Sequence, residues 1–69
     1  MANNNDWQQW IADTYHCGEN WGIRITVSQM RTALIESRKW ADPDDYVPDP
    51  SLASECAAYW NDLCDRYPN

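Results

Sequence analysis

Apolar side chains recur at three- and four-residue steps in three separate stretches of this chain, and each stretch predicts an amphipathic helix. The first spans residues 6–17. Trp7, Trp10, Ile11 and Thr14 fall at i, i+3, i+4 and i+7. Asn5 stands where an N-cap would, with Gln8 three positions on as a variant capping box. Gly18 stands where a left-handed residue would close the helix. The second stretch opens with the clearest start signal in the chain. Thr26 and Gln29 have the spacing of a capping box, and Ile25 and Met30 that of a hydrophobic staple. Val27, Met30, Leu34 and Ser37 mark its inner face, widened by Ala33. Arg38 and Lys39 occupy the last turn, where positive charge suits the helix dipole. Asp42-Pro43 stops the helix near Trp40, because a residue before proline avoids the α region. The third stretch begins with Asp49 as N-cap and Pro50 at N1. Leu52, Cys56, Tyr59, Leu63 and Tyr67 form its core stripe, widened by Ala53, Trp60 and Cys64, and Pro68 ends it.

Two connections join these elements. Residues 19–25 are broken by Gly22 and end in Ile23-Arg24-Ile25, which alternates like a very short strand. A strand of that length needs a neighbour, and none is visible in the sequence. The segment is therefore read as a loop, with edge pairing between two copies as the alternative. Residues 41–49 form an acidic loop stiffened by Pro43 and Pro48. Its length is at the upper end for a helical connection, where loops tend to carry function. The expected fold is all-α: one three-helix domain over residues 1–69, with the acidic loop between the second and third helices.

Composition sharpens this picture in one respect. A chain of 69 residues buries only about 60% of its unfolded surface. This one has five Trp and four Tyr but no Phe. Each such ring buries roughly 150–250 Å² and carries a polar handle that seeks a hydrogen bond. Rings of this kind suit a small core, and they also suit a binding face.

Charge changes the picture more. The net charge is −6. In residues 1–40 four acids (Asp6, Asp13, Glu19, Glu36) balance four bases (Arg24, Arg31, Arg38, Lys39). Beyond them Asp42, Asp44, Asp45, Asp49, Glu55, Asp62 and Asp65 face Arg66 alone in the sequence. A phosphate-contacting surface is basic, so direct nucleic-acid binding is disfavoured and a basic protein partner favoured. A helix-turn-helix reading through Arg24, Arg31, Arg38 and Lys39 ranks below this for the same reason.

Catalytic and metal chemistry find little support. There is no G-x-S-x-G, no phosphate-binding glycine loop and no H-E-x-x-H. His16, Cys17, Cys56 and Cys64 make a Cys₃His set on paper, but no C-x₂₋₄-C pair exists. Neither an enzyme nor a metal or other cofactor is expected. The Asn-rich start lacks a positive n-region and an apolar run, and three cysteines suit reduced thiols. A cytoplasmic protein is expected, with no membrane partner and an open oligomeric state.

The candidate site follows from charge and rings together. Trp40 and Tyr46 are the expected aromatic anchors. Asp42, Asp44, Asp45, Asp49, Glu55, Asp62 and Asp65 are expected to form one anionic field. Carboxylates along a rigid helix imitate the phosphates of a nucleic acid, and such a field steers association with a basic groove. In size, acidity and lack of catalytic signatures the chain resembles small phage-encoded anti-defence inhibitors, anti-CRISPR and DNA-mimic proteins among them. The resemblance is one of composition over the whole chain. It implies a helical inhibitor acting on a basic nucleic-acid-binding protein in the bacterial cytoplasm. The alternatives are a small structural or self-assembly module, or a DNA-binding regulator.

Overall fold

A computed structural model describes residues 6–68. It contains three α-helices in chain order, α1 (Asp6–Cys17), α2 (Val27–Trp40) and α3 (Ala53–Arg66). A single 3-10 turn, Pro50–Leu52, leads into α3. No strand occurs among the described residues, so the domain is all-α as the periodicity implies. The Asn5 cap lies outside the described residues.

The capping signals explain where α2 and α3 begin. Thr26 Oγ1 accepts from the Gln29 N–H at 3.0 Å, and Gln29 Oε1 accepts from the Thr26 N–H at 2.9 Å. These reciprocal bonds satisfy two donors that a helix start otherwise leaves unpaired. Asp49 Oδ1 accepts from the Ser51 N–H at 2.9 Å, with Pro50 directly after the cap. The cap opens the 3-10 turn and not α3 itself, which starts three residues later than the position of Pro50 suggests.

α3 is the hub. The core comprises Ile11 and Tyr15 of α1, Met30 and Leu34 of α2, and Ala53, Cys56, Ala57, Trp60, Leu63 and Cys64 of α3. α1 and α2 each pack on α3, and their backbones do not approach one another closely. The stripe that α3 buries is therefore rotated from the expected one. Leu52 and Tyr59 are half-buried, and Tyr67 is exposed beyond the helix end, whereas the small Ala57 is buried. On α2, Met30 and Leu34 are buried but Val27 and Ala33 are exposed, because the face this helix buries against α3 and the 3-10 turn is narrow. On α1 the buried pair is Ile11 and Tyr15. Trp10 and Thr14 lie around the helix from that pair, on the side that faces α2. They line an open groove of about 420 Å³ with Met30, Ala33, Ser37 and Trp60.

The connector between α1 and α2 finds its neighbour in α3. Ile23–Ile25 runs without regular structure, as expected for a loop. Asn61 Oδ1 accepts from the Ile25 N–H at 2.9 Å, and Asn61 Nδ2 donates to the Ile25 carbonyl at 2.9 Å. One side-chain amide thus engages both backbone groups, as a neighbouring strand would. Trp60 Nε1 donates to the Ile23 carbonyl at 2.7 Å, joined by the Cys64 thiol at 3.3 Å. The Ile25 N–H and carbonyl are thus both engaged within the chain itself. Gly18 does not adopt the left-handed conformation expected of a helix-closing glycine. Gly22 does, at φ 81°, and it turns the chain so that its N–H reaches the Tyr15 hydroxyl.

Candidate functional site

The loop of residues 41–49 is pinned at one end and exposed in the middle. Val47 and Pro48 are buried. Arg38 Nη1 donates to the Val47 carbonyl at 2.8 Å, tying the loop to the last turn of α2. The Asp45 N–H donates to the Asp42 carbonyl at 3.0 Å, and Asp45 Oδ2 accepts from the Asp42 N–H at 3.3 Å. This local turn holds residues 42–45 in place while their carboxylates stay in water.

Three adjoining hollows surround Tyr46. One of about 520 Å³ is lined by Asp42, Asp45, Asp49 and Arg38 among others. A second of about 450 Å³ is lined by Trp10, Trp40 and Asp45. A third of about 290 Å³ is lined by Asp6, Trp10 and Asp13. Tyr46 lines all three. Its phenol is pushed above the ordinary 10.0 by burial first and then by the nearby Asp6 charge, with Arg38 opposing. Trp40 ends α2 and is 80% exposed. The hydrogen bonds from Ser51 hold the Asp49 carboxyl below its ordinary 3.8.

The structure brings together five of the nine expected residues around this end: Trp40, Asp42, Asp45, Tyr46 and Asp49. Asp44 is exposed on the same loop but lines none of the hollows. The α3 carboxylates behave differently. Asp65 accepts from Arg24 at 3.0 Å, and Asp62 pairs with Arg66 at 3.0 Å one helical turn away. Glu55 sits in the first turn of α3. From Glu55 to Asp62 the helix rises by roughly 10 Å. The expected single anionic field is therefore divided. Part of it surrounds Tyr46, and part is partnered by bases along α3. Connector docking explains the Asp65 pair, since it carries Arg24 there, whereas Asp62 is paired within α3 itself.

Three residues of this end escaped the sequence reading: Asp6, Trp10 and Asp13 of α1. Their spacing carried the signal. Asp6, Trp10 and Asp13 follow i, i+4 and i+7, a second stripe beside the buried one. Of the four bases of the helix-turn-helix reading, Arg24 is engaged by Asp65 and Arg38 by the loop. Arg31 and Lys39 remain exposed on α2.

The groups with nucleophilic or metal-binding chemistry lie elsewhere. Cys56 and Cys64 are buried in the core, and burial pushes the Cys56 thiol up to about 11. His16 sits among rings, with Trp21 at 5.0 Å, Tyr67 at 5.1 Å and Tyr15 at 5.3 Å. Among the described residues no three His, Cys, Asp or Glu side chains converge as a metal site requires, and no helix is long and apolar enough to cross a membrane. The chain matches no protein-family model, no curated protein sequence and no solved structure.

Proposed function

We propose that this domain is a protein-binding inhibitor whose acidic, aromatic end covers a basic, nucleic-acid-binding surface of another protein. The observation that carries the reading is the position of Trp40. A mostly exposed indole lines one hollow with Tyr46 and Asp45, and that pair lines the adjoining hollow with Asp42 and Asp49. Exposed Trp and Tyr supply most of the affinity at protein interfaces, and a surrounding field of one sign supplies orientation and association rate. Net charge of −6 alone serves solubility equally well. Charge gathered around unpaired rings is what a contact surface adds.

The mimicry of nucleic-acid phosphates shifts accordingly. It rests on the carboxylates of the loop, and not on α3, where Asp62 and Asp65 already have basic partners. A partner covered in this way is excluded from its own nucleic acid. The test is retention of basic nucleic-acid-binding proteins from a cell extract on the immobilised domain, at low and high salt. Duplex DNA serves as competitor. The double substitution Asp44→Lys with Asp45→Lys should abolish retention, and added DNA should displace what the wild type holds. Undiminished retention by the double variant would rule this end out as the contact surface.

A further inference from the structure

We infer that Trp10, Trp40, Tyr46 and Asp45 form a cage for an arginine side chain of the partner. The inference rests on the reading above and names what its acidic end recognises. Three rings from three different elements line one hollow of about 450 Å³: Trp10 from α1, Trp40 from the last position of α2, and Tyr46 from the loop. They do not pack on one another. Every other ring cluster of the described domain is closed by ring contacts, as in the Tyr15, His16, Trp21 and Tyr67 group and the Trp7–Tyr59 pair. No such contact joins Trp10, Trp40 and Tyr46. Space lies between them, and Trp40 is left 80% exposed in a domain otherwise short of large apolar side chains to bury.

The chemistry of the walls selects the occupant. Aromatic faces carry a negative quadrupole and attract cations within about 6 Å of the ring. The only ionisable side chains lining this hollow are the Asp45 carboxylate and the Tyr46 phenol. Burial holds that phenol protonated, above its ordinary 10.0. No base lines the hollow, since Arg38 faces the neighbouring one, where it is bonded to the Val47 carbonyl. A cation entering here meets rings on its flanks and one carboxylate to pair with. A planar guanidinium uses both features, stacking its face on a ring while its edge offers a fork of donors to a carboxylate. A lysine ammonium keeps the charge but loses the stacking plane. Arginine is therefore preferred over lysine, and both over an uncharged isostere.

The experiment follows the five indole N–H signals of the full chain by NMR. The probe is a short synthetic peptide carrying one arginine between glycines. Its lysine and citrulline counterparts are titrated in parallel. The expected result is that the arginine peptide shifts the indole signals of Trp10 and Trp40 and leaves those of Trp21 and Trp60 in place. The lysine peptide should bind several-fold more weakly, and the citrulline peptide about tenfold more weakly or less. Trp40→Ala should weaken the arginine peptide about tenfold, in line with a cation–π contact of roughly 1–2 kcal/mol. Asp45→Asn should weaken it several-fold, and Asp44→Asn, outside the hollow, should not. Equal affinity for citrulline, or indifference to Trp40→Ala, would overturn the cage. Should the Asp44→Lys, Asp45→Lys variant lose basic proteins while Trp40→Ala leaves the arginine peptide unaffected, the acidic end stands as the contact surface and the cage alone falls. Should that variant keep them, the contact surface itself is wrong.

Discussion

The two ends of this bundle use the same aromatic residue types in opposite ways. At the end where the connector docks, every ring is engaged. The Tyr15 hydroxyl donates to the Tyr67 carbonyl at 2.8 Å and accepts from the Gly22 N–H at 2.6 Å. The Trp60 ring meets Tyr15 edge-on at 5.1 Å while its indole N–H holds the Ile23 carbonyl. Trp21 stacks on Tyr15 at 6.1 Å. At the loop end Trp40 is mostly exposed, Tyr46 is about as exposed as Trp21 and Tyr67 but without their ring contacts, and the hollows between rings stay open. Burying a ring without satisfying its polar handle is costly, so rings that stabilise a small core come with partners. Rings without partners mark surface that serves something other than folding.

Truncation at each end gives the sharpest test of this contrast. Trp60→Ala opens a cavity in the core and leaves the Ile23 carbonyl with only the weak Cys64 thiol donor. It should cost about 3–5 kcal/mol, a large share of the stability of a domain this small. Trp40→Ala should change stability by no more than about 0.5 kcal/mol, as surface substitutions do. Urea unfolding of both variants, followed by circular dichroism, measures the difference. A large loss from Trp40→Ala would mean that the loop end is structural after all, and the division drawn here would fail.

The second test isolates a single oxygen. Tyr15→Phe keeps the ring and removes the hydroxyl that links the connector to the chain after α3. The Gly22 N–H and the Tyr67 carbonyl lose their partner, and the melting midpoint should fall by on the order of 10 °C. The same hydroxyl gives an alkaline signature. Burial raises its pKa above 10.0, so the folded state favours the neutral phenol. Its contribution is complete below that value and is lost as pH rises through the folded pKa. Tyr15→Phe should therefore flatten the alkaline limb of the stability profile as well as lower it. An unchanged midpoint would show that the connector is held by Asn61 and Trp60 without Tyr15.

Helix positions and the α2 capping box were legible in the sequence, because periodicity and capping are local. What each helix faces was less so. Tyr15 is entirely buried yet absent from the expected stripe, since a tyrosine reads as core only when partners for its hydroxyl are known, and those partners lie 7 and 52 positions away. Val27 looked like core because it continues an apolar face, but on α2 only Met30 and Leu34 are buried. The candidate site shows the same limit. Loop acids were visible as a run of charge. Asp65 looked equivalent to them until the fold supplied Arg24, whereas the partner of Asp62, Arg66, stood one helical turn away in the sequence itself. Trp10 and Asp13 joined the site only through the packing of α1 beside the loop.

The smallest expected effect concerns the junction where the acidic loop becomes helix. Asp49 caps the 3-10 turn, and its hydrogen bonds from Ser51 hold the carboxyl below 3.8 in the folded protein. In the unfolded chain that carboxyl takes up its proton near the ordinary value, before the folded one does. The ionised cap therefore contributes fully above 3.8, and its contribution drains away as pH falls through the lower, folded pKa. Asp49→Asn keeps a capping oxygen without a titrating charge. Thermal midpoints of the two proteins from about pH 6 down to about pH 2 should stay parallel at first, with the wild type then losing ground to Asp49→Asn in the acid limb. The group is exposed, so salt should shrink the difference. Were the curves parallel throughout, Asp49 would be bound no more tightly in the fold than in the open chain. The loop's anchorage would then rest on Arg38 and the buried Val47 and Pro48, leaving the acidic end held from one side only.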